Sequence, residues 1–165
     1  MKKGFLPLVG ILFLLVSCGP TKQNAIDFND EIVDAQKACL AAESDFYNVC
    51  DSLNPDDIKT ALATFKTKVK DCVSKVEGSK ADKEFDAYRQ SAVNLLKEYE
   101  NMLDKEFTEY AGLYSIATDD YTDDDAARQK ELANKINTSL DLLNKNFIAE
   151  QQRFADKWGF TLSKY

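Results

Sequence analysis

The chain of 165 residues contains no histidine. That absence removes the Ser-His-Asp and Cys-His nucleophilic constellations, the Glu-x-x-His pairs of di-iron bundles and the usual ligand sets of zinc sites. A membrane-spanning run is missing too. The longest apolar stretch, residues 5–16, holds Pro7 and falls short of the roughly 20 residues that a transmembrane helix needs. Nor is there a basic excess, since 21 Lys and Arg stand against 28 Asp and Glu for a net charge of −7. Nucleic acid demands a basic footprint and anionic lipid attracts one, so neither is expected as a charge-driven partner. Paired carboxylates of the glycosidase kind remain as an enzymatic possibility, but the acids fall on outward helical positions with no aromatic cleft. The expectation is a protein that is not an enzyme and uses no cofactor.

What is present begins with Lys2 and Lys3, the short apolar stretch, and the small Ser17 just before Cys18. This is the order of a secretory signal. A buried core helix fits the same run poorly, because charged residues flank it on one side and Gly19-Pro20 on the other. The tetrapeptide "LVSC", residues 15–18, resembles the lipobox of bacterial lipoproteins. The resemblance implies a signal peptide over 1–17, diacylglycerol in thioether linkage to Cys18, a third chain on its amine, and anchorage in the bacterial outer membrane. At about 0.8 kcal/mol per buried methylene one acyl chain binds marginally, whereas two or three anchor stably. Residues 18–24, the lipidated cysteine and "GPTKQN", then form a short tether. No acidic run resembling a surface-export tag follows Cys18, so the periplasmic-facing and cell-surface sides both stay open. Loss of Lys2 and Lys3 takes the net charge to −9, and residues 25–165 suffice for one domain with a core.

Cys39, Cys50 and Cys72 remain beyond Cys18. An oxidising compartment permits one bridge among them. With a hairpin turning near Leu53, Cys39 and Cys72 are offset by about 6 Å along the helix axes, near the limit for bridged Cα atoms, while Cys50 faces no cysteine. Three free buried thiols acting as small apolar residues are the alternative.

Periodicity predicts four helices and no strand. Phe28, Ile32, Ala35, Cys39, Ala42, Phe46, Val49 and Leu53 form one stripe, and Ile58, Leu62, Phe65, Val69, Cys72 and Val76 a second. Asn54 and Pro55 read as the cap and first position of the second helix, and Gly78 as its close. Ser79 and Asp82 read as a capping box for the third helix, Thr122 and Asp125 as one for the fourth. Phe85, Leu96 and Phe107 stand eleven apart, as do Tyr88, Tyr99 and Tyr110, and Leu132, Leu143 and Phe154. Eleven residues over three turns is close to the native helical period, so the third and fourth helices are expected to run nearly straight. Short connections make the chain an all-α, up-down-up-down antiparallel four-helix bundle.

Four features invite sharper readings. The tyrosine stripe could bind aromatics or sugars, but core packing with hydroxyls at the rim accounts for it. Asp120, Asp124 and Glu131 approach EF-hand spacing, yet Asp125 stands where the loop needs glycine, and the helix dipole explains acids in a first turn; no metal is expected. Helix two is rich in lysine and helix one in acids, which suits pairing between them or solvated faces. The third and fourth helices outrun the first two, which leaves residues 103–127 as an excess at the end away from the tether. There Tyr110, Tyr114 and Tyr121 form the candidate interaction tip, an aromatic group with a polar rim; a cap over the core is the other use for this segment.

The openings "FNDEIVDAQ" (28–36) and closing "FADKWGFTLSKY" (154–165) look like the ends of a family of small Bacteroidota four-helix lipoproteins known as surface proteins of unknown function. The resemblance implies a bundle held to the membrane through its lipid anchor and supplies no catalytic residue. A binding or interaction module for an unknown protein or small ligand is the expected function, with a carrier of a small apolar ligand inside the bundle as the alternative.

Overall fold

In the computed structural model residues 19–80 and 82–162 are described; Cys18 lies outside them. The described residues are all-α, in five α-helices: α1 (Lys22–Cys50), α2 (Pro55–Gly78), α3 (Asp86–Leu103), α4 (Glu106–Tyr114) and α5 (Asp123–Trp158), with a 3-10 turn at Lys83–Phe85 before α3. The expected four-helix bundle is therefore corrected to five helices. The third helix breaks at Asp104 and Lys105, where Lys105 adopts φ −124° and ψ −84°. The Thr108 hydroxyl closes the break by donating to the Leu103 carbonyl at 2.6 Å.

Local chemistry sets most helix ends. Thr21 and Asn24 make a capping box at α1, so helix begins at Lys22, inside the segment assigned to the tether. Asn54 accepts from the amides of Asp56 and Asp57, and Pro55 opens α2. Thr122 and Asp125 form the expected box at α5. Ser79 departs from its expected role, for its hydroxyl donates back to the Val76 carbonyl at the end of α2. Asp82 is itself the cap of the 3-10 turn. Gly159 takes a left-handed φ of 68°, and the Phe160 amide reaches the Ala155 carbonyl while its ring packs on Phe154 at 6.0 Å.

The core runs the length of the bundle. At the end holding the α1 N-terminus and the α5 C-terminus, here called the base, Phe28, Phe85, Tyr88 and Phe154 pack together, stacked or edge-on, at 4.7–6.1 Å between centroids. Lys22 Nζ also donates to the Gly159 carbonyl there, at 2.5 Å. At the opposite end, the tip, Phe46, Phe65 and Phe107 form a second aromatic cluster at 5.3–5.9 Å. Each buried ring contributes roughly 1.5–3 kcal/mol. The eleven-residue stripes survive the break between α3 and α4: Phe85, Leu96, Phe107 and Tyr88, Tyr99, Tyr110 are all buried. No helix among the described residues is long and apolar enough to cross a membrane.

Candidate functional site

The expected tip residues do come together. α4 packs against α2 and α5, and its rings reach α1. Tyr110 is buried, edge-on to Tyr47 at 5.8 Å and 5.0 Å from Tyr114, and the two hydroxyls of Tyr110 and Tyr114 share a hydrogen bond at 3.3 Å. Burial pushes the Tyr110 hydroxyl above its ordinary range, as does its bond to Tyr114. Tyr110 therefore belongs to the core. Tyr114 and Tyr121 are half-buried, and the Tyr121 hydroxyl donates to Gln129 on α5. In the segment between α4 and α5, Ser115, Ile116 and Tyr121 are half-buried and the other residues exposed. A concavity of about 300 Å³ is lined by Leu53, Leu113, Tyr114, Ile116, Thr118, Tyr121 and Gln129.

Leu53 lies across this cup in the turn between α1 and α2. It is 60% exposed, the most exposed of the large apolar side chains of α1 and its turn, and it adopts φ 55°, a left-handed conformation that favours glycine. The periodic stripe placed Leu53 in the core; the helix ends at Cys50, and the last stripe position is thrown out of register by the turn.

Of the two readings left open for the cysteines, the structure has the free thiols, with no bridge between Cys39 and Cys72. Both are free, buried thiols, as is Cys50. Burial in the core pushes all three thiols up, Cys50 to about 11, and the proximity of Cys72 adds to the effect on Cys39. They pack as small apolar residues. Of the calcium-like acids, Glu131 pairs with Arg128 at 2.8 Å, and Asp125, in the position where such a loop needs glycine, closes the capping box. The lysines of α2 do not turn to α1: Lys66 pairs with Asp104 at 3.1 Å, and Lys59, Lys68, Lys70 and Lys75 are exposed.

Four polar side chains lie inward: Asn29, Gln151 and Glu106 are buried and Glu43 half-buried, the two acids against the expectation of outward positions. Asn29 Oδ1 accepts from the Tyr88 hydroxyl at 3.1 Å and from Gln151 Nε2 at 3.0 Å, with both amides buried. Glu43 accepts from the Tyr99 hydroxyl at 3.0 Å. Burial pushes the Glu43 carboxyl up, against the pull of that hydrogen bond. Glu106 is buried and pairs with Lys135 at 2.6 Å; burial pushes its carboxyl up, but that ammonium brings it below its ordinary value overall. Their signal was present: Glu43 stands four after Cys39 and three before Phe46, on the stripe itself, and Gln151 stands four after Phe147.

A second concavity, of about 550 Å³, opens at the base beside Asn29 and Gln151, with Lys22, Ile26, Ile148, Phe160 and Leu162 around it. A wider groove of about 710 Å³ runs between α1 and α2 over Phe46 and Phe65. The Thr60 and Thr64 hydroxyls on its flank bond back to carbonyls of their own helix. The fold and these sites define an all-α bundle with an apolar cup at one end and a polar-floored pocket at the other. No family model, curated protein or solved structure matches the chain.

Proposed function

We propose that the chain is a lipid-anchored protein of the bacterial outer membrane, acting as a non-enzymatic binding module that presents its tip away from the bilayer. The observation that carries this is the placement of the two ends. Residues 15–18 have the lipobox pattern, and α1 starts four residues after Cys18 at the base, where Lys22 meets Gly159. At 1.5 Å per residue the 29 residues of α1 carry the tip about 40 Å from that end. The likeness of residues 28–36 and 154–165 to small Bacteroidota lipoproteins supports the same reading. Growth with a fatty-acid analogue should label the wild-type protein and leave Cys18→Ser unlabelled, because serine cannot accept the diacylglycerol; label persisting in the variant overturns the anchor.

One observation favours a second reading, the carrier of a small apolar ligand. The base pocket combines apolar walls from Ile26, Ile148 and Phe160 with the buried Asn29 and Gln151 amides, the mixture that orients small molecules. Native mass spectrometry of protein taken from its own membrane should then show a bound mass that Gln151→Leu removes. A bare polypeptide with its acyl chains alone counts against the carrier.

A further inference from the structure

Two stretches of chain build the tip, residues 44–58 and 106–127; neither holds a lysine or an arginine, and Lys59, Lys105 and Arg128 stand directly beside them. Together they carry eleven acids, while the whole chain has a net charge of −7, so everything outside the tip is net positive. Only part of this charge is answered locally. Arg128 of α5 takes Glu109 through two bonds at 2.6 and 2.8 Å, and Lys135 takes Glu106. Asp56, Asp57, Asp123 and Asp124 sit in the first turns of α2 and α5, where the helix dipole favours an acid. Each helix terminus supplies only about half a positive charge, less than two carboxylates return. Asp51, Asp119 and Asp120 have no such role, and all seven of these aspartates are exposed.

Acids border the cup in sequence, Asp51 standing two residues before Leu53 and Asp119 and Asp120 lying between the lining residues Thr118 and Tyr121, and Leu53 at the cup is 60% exposed. We propose that the tip docks a cationic polypeptide segment, one that seats a single apolar side chain between Leu53, Ile116 and Tyr121 and lays flanking lysines or arginines on the bordering aspartates. The proposal rests on the reading of the chain as a binding module and names the partner's chemistry. A divalent cation does not suit the site, since no three acids among the described residues are placed to hold one, and a metal has no use for the apolar floor. The cup of about 300 Å³ has room for an apolar side chain, and its lining comes from two separate segments, Leu53 on one and residues 113–129 on the other. Negative charge bordering an apolar centre also steers such a partner, which makes association fall with ionic strength.

The test is fluorescence anisotropy of a dye-labelled peptide, one leucine between two lysine pairs, titrated with the full chain in detergent micelles. Binding should weaken about tenfold or more between low and physiological salt. Replacing the peptide's leucine by serine should cost about tenfold at fixed salt, and Leu53→Gly and Tyr121→Ala should each cost a similar factor. Leu53→Gly keeps the test clear of misfolding, because that variant is expected to melt no lower than wild type. Equal binding of the leucine and serine peptides, or binding untouched by Leu53→Gly, overturns the proposal, as does no binding at low salt. The readout is independent of Cys18, so failure here and failure of the fatty-acid labelling are separate results.

Discussion

Glu43 shows how one side chain can work against the fold that contains it. Its carboxyl lies among Cys39, Tyr47 and Tyr99, and burial raises its proton affinity in the folded state. A carboxyl whose folded value lies above its unfolded value destabilises the fold once pH exceeds both, and the penalty fades as pH falls through the folded value toward the unfolded one. Glu43→Gln keeps an acceptor for the Tyr99 hydroxyl and should raise the urea midpoint at pH 7 while changing it little near pH 4. Glu43→Ala should lower it, by about 1–3 kcal/mol of unfolding free energy, because the Tyr99 hydroxyl is left buried and unpaired. Glu106 has the opposite sign: its depressed value contributes stability above the unfolded value that is lost as pH falls through the folded one. Leu53 is the other residue at odds with its setting. Its left-handed backbone costs about 1–2 kcal/mol relative to glycine, and little of its side chain is buried in return. Leu53→Gly should therefore raise the urea midpoint by the equivalent of about 1 kcal/mol; a loss of stability would show that the leucine packs more than its exposure indicates.

At the scale of the element, the break between α3 and α4 was hidden from the sequence, and the reason is physical. Residues 103–108, "LDKEFT", hold neither glycine nor proline, and the eleven-residue repeat runs through them without a phase shift. The break answers a tertiary need: α1 and α5 touch near the base, through Asn29 with Gln151 and Gln36 with Asn144, while at the tip the rings of Phe107 and Tyr110 stand against Phe46 and Tyr47 of α1. Redirecting α4 brings those rings there. Signals written within three or four residues were legible, such as the Asn54-Pro55 start, the Thr122 and Asp125 box and the Gly159 stop. Ser79 and Asp82 matched a box by spacing but were drawn to other partners once the chain turned at α2. The aromatic tip was legible as a cluster, and its split into the buried Tyr110 and the half-buried Tyr114 and Tyr121 was not, since that depends on where α4 points. If α4 fills the gap beside α1 as described, Phe107→Ala should cost about 3–5 kcal/mol, and Tyr114→Ala clearly less; equal costs in chemical unfolding would contradict this packing.

For the whole molecule the account is one of polarity. One end is where Cys18 joins the bundle in sequence, and the other holds eleven acids as well as the apolar cup. Neither pattern is visible in a composition, because a net charge of −7 conceals a tip far more acidic than the remainder. The two loops that make the tip lie about 60 residues apart, so the fold alone unites them. With attachment at Cys18, four residues before α1 begins, the tip faces away from the bilayer in the proposed arrangement. The most direct measurement is the intact mass of the protein extracted from its own membrane, with fragmentation of its N-terminal peptide. The account predicts a chain that begins at Cys18, lacks residues 1–17 and carries two or three fatty acyl chains on that residue. A chain that retains Met1, or that is cleaved elsewhere with an unmodified Cys18, contradicts it.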